Sequence, residues 1–246
     1  MTVGLFIPCY VDQFYPNAAI ATLKLLQRLN VDVHYPMNQT CCGQPMANSG
    51  FEHLTAGCNN LFIDNFSQFD YVVSPSGSCV LHLKDHLHSA TEETKARGIR
   101  KKIYELTEFL TDVLEVKSLT ARFPHKVGVH QSCHGQRGLK LAQMTELVDQ
   151  PFSKPLQLLN MVEDLELVPL TRPDECCGFG GTFCVIEEAV SVKMGKDRVA
   201  DHISNGAQYI TAADMSCLMH MEGILKRQNS QVRVLHIAEI LNAQEQ

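Results

Sequence analysis

The chain has 246 residues, 45% of them hydrophobic, which is enough to bury a core without covalent staples. Its 21 basic and 27 acidic residues leave a net charge of -6, and the longest basic run is Arg100-Lys101-Lys102, so no nucleic-acid partner is expected. No stretch reaches the ~18 apolar residues of a membrane span, and MTVGLFIPCY has no basic region before its short apolar run. The chain therefore reads as cytoplasmic, meeting a membrane only through a partner.

In chain order, residues 3–8 form a short apolar run that reads as a strand, and 17–29 (NAAIATLKLLQRL) carry helical periodicity. VDVHY follows as a strand, 51–67 as a helix and DYVVS as a second buried strand. The second half repeats the alternation with KVGVH, a helix near 154–162, LELVPL, a long helix from about 185 to 204, QYITA and a helix leading into VRVLH. Alternating strands and helices imply an α/β fold of small, mostly parallel sheets flanked by helices.

The two halves also match motif by motif. VGLFIPC at 3–9 lies over VGVHQSC at 127–133, and TCCG at 40–43 over ECCG at 175–178. YVVSPSGSC at 71–79 lies over YITAADMSC at 209–217, and IYELTEFL at 103–110 over VLHIAEIL at 234–241, with Glu108 over Glu239. Order is kept while spacing drifts, as duplication followed by loop change would give. The expected repeats are 1–120 and 121–246, pseudo-symmetric, with the seam between Lys117 and His125.

Ten cysteines in a reducing compartment point away from disulfides and toward metal, cluster or redox chemistry. Each half supplies four matched thiols: Cys9, Cys41, Cys42 and Cys79, then Cys133, Cys176, Cys177 and Cys217. Side by side on a strand or helix, Cys41-Cys42 and Cys176-Cys177 would diverge, but the glycine after each pair lets the backbone turn both sulfurs into one pocket. They follow strand ends, where ligands bind in parallel sheets, so each set of four is expected to converge on a pocket there. Four thiolates suit a [4Fe-4S] cluster and also a structural zinc. Zinc ribbons favour close CxxC pairs, whereas these ligands come from three distant loops, which favours iron–sulfur. A thiol–disulfide catalyst would show CxxC at a helix start, and the chain has no CxxC.

These residues carry a resemblance. Cys-x31-CysCysGly-x36-Cys and its second copy resemble the duplicated cysteine-rich CCG-domain family, which includes the cysteine-rich subunit of heterodisulfide reductase and the glycolate oxidase iron–sulfur subunit. Length, GFGGTF at 178–183 and the lack of a CxxCxxCxxxCP run place the chain nearest the family's lactate-utilisation branch. The resemblance implies an electron-transfer subunit working with companion iron–sulfur and accessory proteins in a complex that oxidises L-lactate to pyruvate. The eight matched cysteines would be the iron ligands, with one [4Fe-4S] cluster per repeat, and the small-molecule substrate would be handled by the complex. Heterodisulfide reductase ends each copy with CxxC; here Ser76 and Asp214 replace the first cysteine, so its five-thiolate non-cubane cluster is not implied. The alternatives are an electron-carrying subunit of a glycolate or heterodisulfide oxidoreductase, and an interaction scaffold stabilised by zinc.

The other candidates read more plainly. Asp214 precedes a helix and reads as its N-cap, Cys58 as a buried small hydrophobe, and Cys184 as an unmatched thiol near the second site. His82, His86 and His88 read as a solvated helix face. His130 and His134 flank Cys133 as local polar contacts or as donors to a cluster sulfur. Gly178, Gly180 and Gly181 do not form GxGxxG, so no dinucleotide site is expected.

Overall fold

The fold follows from a strand–helix alternation that runs twice. In the computed structural model, which describes residues 1–148 and 150–244, β1 (Thr2–Leu5) leads through α1 (Cys9–Phe14) and α2 (Pro16–Arg28) to β2 (Asp32–His34). Next come α3 (Gln44–Asn48), α4 (Ala56–Phe66), β3 (Tyr71–Ser74), α5 (Gly77–His86), α6 (Glu93–Arg100) and β4 (Ile103–Glu105). The short α7 (Leu106–Glu108) closes this half and continues as a wider π turn over Phe109–Val113. The second half runs β5 (Lys126–Val129), α8 (Lys154–Leu159), β6 (Glu166–Leu167), α9 (Phe183–Ile186) and α10 (Glu188–Ser204). It ends with β7 (Tyr209–Ala212), α11 (Met215–Arg227), β8 (Arg233–His236) and α12 (Ile237–Leu241). The expected helix over 185–204 is interrupted at Glu187, whose φ -114 and ψ 50 are not helical.

Each half forms a four-stranded parallel sheet, ordered β2-β1-β3-β4 and β6-β5-β7-β8. The registers correspond: Val3 faces Val33 and Tyr71, and Val127 faces Leu167 and Tyr209. The inner strands have both faces covered, so Val3, Leu5, Val72 and Val73 are all buried, as are Val127, Val129, Ile210 and Ala212. α2 starts at Pro16, whose missing N–H costs nothing in a first turn, and buries Ala18, Ala21, Thr22, Leu25 and Leu26 along one stripe. Leu25 and Leu26 are fully buried, each contributing about 1.5–3 kcal/mol.

The repeats share a core. Side chains of the first half such as Val3 and Leu25 belong to the same buried apolar cluster as Leu158, Ile237 and Leu241 of the second. α12 packs on α2, where Arg28 donates to the Leu241 carbonyl at 2.8 Å, and α7 packs on α8. Each closing helix therefore covers the other repeat. Both begin with a capping box, Glu105 with Glu108 and His236 with Glu239. Among the described residues no helix is long and apolar enough to cross a membrane.

Candidate metal centre at the strand ends

In a sheet ordered β2-β1-β3-β4, the chain leaves β1 toward one side and β3 toward the other, and a crevice opens between their carboxyl ends. Cys9 starts the helix after β1, Cys79 lies in the first turn of α5 after β3, and Cys41-Cys42 occupy the loop after β2. Cys133, Cys217 and Cys176-Cys177 hold the same places after β5, β7 and β6. All eight line a single cavity of about 380 Å³. Each set converges as its spacing implies, but the two sets face one shared cavity rather than a pocket apiece.

The CysCysGly turns work as the glycine implied. Gly43 and Gly178 adopt φ of 89° and 85°, a region that L side chains avoid. That turn aims the Gly43 N–H at Cys41 Sγ (3.4 Å) and the Gly178 N–H at Cys176 Sγ (3.3 Å). Cys9 Sγ lies 3.8 Å from Cys41 Sγ. Hydrogen bonds from the Cys42 and Cys9 thiols, with the Gly43 N–H, hold the Cys41 thiol far below its usual pKa. The thiols of Cys133 and Cys177 do the same for Cys176, with Gly178. Cys9 and Cys133, which give those hydrogen bonds, are pushed up, as are the buried Cys42 and Cys177. Each set thus contains one thiol made more acidic by its neighbours among close sulfurs, a soft donor group suited to a thiophilic metal.

The residues around the sulfurs differ from their sequence reading in several places. Asp214 is the N-cap of α11, accepting from Ser216 N at 3.2 Å, and it also accepts from Ser78 N of the other repeat at 2.7 Å. Ser76 caps α5 in the matched position. His82 is not on a solvated face: it is 5% exposed, stacks on His86 and lies against Cys41 and the Cys42 backbone, because the helix turns it inward. His86 and His88 are exposed and pair with Glu52 and Glu93. Cys58 is half-buried beside Gly43 rather than fully buried. Cys184 donates to the Gly181 carbonyl at 3.0 Å and is not among the cavity-lining residues. His134 lines the cavity.

His220 occupies the place of His82 in the second repeat, its Nε2 donating to Ser191 O (3.3 Å) beside Cys176 and Cys177. Burial lowers the pKa of both histidines. A sequence signal for the pair exists in the repeat itself: SCVLH at 78–82 and SCLMH at 216–220 extend the third motif to a matched histidine. His130 is 1% exposed, and its ring nitrogen lies with Cys177 Sγ and Cys217 Sγ in a group whose atoms are all within 4.8 Å of one another. Burial lowers its pKa to about 3, so the ring is neutral.

The sequence model of the cysteine-rich domain family (CCG) matches residues 3–84 and 127–222. Lactate utilization protein A of Exiguobacterium sp. (strain ATCC BAA-1283 / AT1b) is 40% identical over 246 residues, covering 98% of this chain and 96% of its own. The protein of that name from Geobacillus sp. (strain WCH70) is 41% identical over 248 residues, covering 99% and 100%. Among solved structures, a hypothetical protein from Helicobacter pylori aligns with a TM-score of 0.62 at 14% identity, over 100% of this chain and 49% of its own, a likeness of fold.

Proposed function

The chain belongs to the cysteine-rich domain (CCG) family, and on that premise we propose that it is an iron–sulfur electron-transfer subunit of a cytoplasmic multi-protein complex that oxidises L-lactate to pyruvate. The observation that carries this reading is the convergence of eight thiols, four from each repeat, on one cavity. Cys9, Cys41, Cys42 and Cys79 of repeat 1–120 would hold one [4Fe-4S] cluster, and Cys133, Cys176, Cys177 and Cys217 of repeat 121–246 the other. The donor set fits: each site offers four soft sulfurs, one of them made more acidic by its neighbours, and binding would release the thiol protons.

Such clusters supply one-electron chemistry. The chain's own part is to hold the two sites in one cavity and to present them to partners. L-lactate would meet its oxidant on a companion protein, and companion iron–sulfur proteins would pass electrons to or from this chain. Relatives covering nearly the whole chain are named for lactate utilization, which supports that assignment.

A second reading rests on one distance. A tetrahedron of thiolates about 2.3 Å from zinc has edges of roughly 3.8 Å, and Cys9 Sγ and Cys41 Sγ are 3.8 Å apart, so each set also suits a zinc ion. Against it, structural zinc serves domains that lack a core, whereas the two sheets here already pack on a large shared apolar core. The complex is tested by dye reduction with L-lactate: none by this chain alone, turnover with its companions, and loss of turnover with Cys177→Ser. Robust turnover by the isolated chain would overturn the carrier reading.

A further inference from the structure

The two cysteine sets sit above different cores. Phe6 N donates to Val73 O and His130 N to Thr211 O, which matches Phe6 with His130 across the duplication. A Cβ on Gly4 would collide with Phe66, and one on the matched Gly128 would collide with His202. The CysCysGly glycines align the same helices one end further on, Gly43 facing Thr55 and Cys58, Gly178 facing Ser191 and Met194. These matches place Phe62 over Arg198 and Phe66 over His202, one helical turn apart in each case.

In the first repeat the three positions are aromatic and dry. Phe6 meets Phe62 edge-on at 4.9 Å between ring centroids and Phe66 at 5.8 Å, and Phe62 meets Phe66 at 4.5 Å. In the second repeat they are His130, Arg198 and His202, at 1%, 0% and 0% exposure. Both ring nitrogens of His130 and of His202, and Nε and Nη2 of Arg198, have no hydrogen-bond partner among the described residues. Leaving buried polar groups unpaired is costly, and an anionic occupant beside His130 would relieve part of that cost. Net charge does not explain it: Arg198 meets Asp201 at 3.4 Å, Arg172 meets Glu175 at 2.8 Å, and Asp201 also accepts from the Thr171 and Arg172 N–H groups. What distinguishes the second site is where its donors lie, and a ring nitrogen of His130 is within 4.8 Å of the Cys177 and Cys217 sulfurs.

We propose that His130 donates an N–H hydrogen bond to a thiolate of the second site, making that cluster the easier of the two to reduce and setting the direction of electron flow from the first repeat to the second. The inference rests on the iron–sulfur reading above. An N–H aimed at a ligating sulfur stabilises the extra negative charge of the reduced state and raises the potential. Phe6 offers the first site no such dipole. Arg198 and His202 lie near His130 in the same buried group. The transfer itself moves one electron from the first site to the second, with no bond made or broken, between two sites that line one cavity.

The test is a potentiometric titration of the anaerobically loaded full-length chain, followed by electron paramagnetic resonance, with Cys79→Ser and Cys217→Ser assigning each midpoint to a repeat. Two midpoints are expected, the higher one disappearing in Cys217→Ser. His130→Phe, which installs the first repeat's residue, should lower that midpoint toward the other and leave the lower one in place. His130→Gln, which keeps an N–H, should retain most of the wild-type value. If His130→Phe does not fold against Arg198 and His202, the smaller His130→Leu should give the same shift. Equal wild-type midpoints, or a higher midpoint unmoved in a variant with full iron content, would overturn the inference alone. Loss of second-site iron in every His130 variant would make His130 a ligand instead and also overturn it. A chain that binds no iron and sulfide would overturn the iron–sulfur reading and the inference with it.

Discussion

Ser76 and Asp214, matched residues of the two repeats, form an antiparallel bridge to each other at the junction between the sheets. Gly77 N donates to Ala213 O at 3.1 Å and Ser78 N to Asp214 Oδ2 at 2.7 Å, so one carboxylate caps the first turn of a helix in each repeat. The first positions of Ser76-Gly-Ser-Cys79 and Asp214-Met-Ser-Cys217 are thereby used to join the repeats.

Asp214→Ala removes the acceptor for three groups, Ser78 N, Ser216 N and the Ser216 hydroxyl. It should destabilise the chain by about 2–4 kcal/mol, and Ser76→Ala by about 1 kcal/mol, in urea unfolding. Both variants should keep their full metal complement. Loss of metal from Asp214→Ala with little loss of stability would identify Asp214 as a ligand rather than a cap.

The two CysCysGly turns should respond unequally to alanine. A Cβ on Gly178 would lie 2.7 Å from the Ser191 carbonyl oxygen, whereas one on Gly43 meets the Thr55 side chain at 3.1 Å. Gly43→Ala should cost about 1–2 kcal/mol for the left-handed backbone, while Gly178→Ala should cost more and empty the second site. Metal content measured beside a thermal melt checks the difference.

The caps of the two closing helices should titrate in opposite directions. His236 Nδ1 accepts from Ala238 N at 3.1 Å, which requires it to be unprotonated, and burial lowers its pKa to about 4. With a folded pKa below the unfolded value near 6.5, its contribution is complete above that pH and is lost as pH falls through 4, roughly 3 kcal/mol. Its counterpart Glu105 is raised to about 8, chiefly by burial, so its contribution is present at low pH and lost as pH rises through 8. His236→Asn keeps a capping acceptor that does not titrate. Its stability relative to wild type should improve from pH 7 to pH 4.5; a difference that does not change with pH would refute the assignment.

The duplication, the α/β alternation and the convergence of each cysteine set are legible in the sequence because a parallel strand leaves a short, apolar, regularly placed signature and the CysCysGly glycine has one physical use. What is not legible depends on packing between the repeats. That both sets face one cavity follows from the Ser76–Asp214 junction and the exchange of closing helices, neither of which has a local sequence mark. His82 escapes a local reading because three histidines in LHLKDHLH resemble a polar face, while only its match with His220 reveals the buried one. Phe6 over His130 is visible in VGLFIPC against VGVHQSC, but the exchange of Phe62 and Phe66 for Arg198 and His202 is hidden because the helices carrying it, α4 and α10, share no motif.

Iron, acid-labile sulfide and zinc determined in the chain purified without oxygen distinguish two four-thiolate iron–sulfur sites from two zinc sites. Two cubanes predict about eight irons and about eight sulfides per chain, falling to about half in Cys42→Ser or Cys177→Ser and unchanged in Cys58→Ala or Cys184→Ala. About two zinc ions per chain with no sulfide would contradict the iron–sulfur reading.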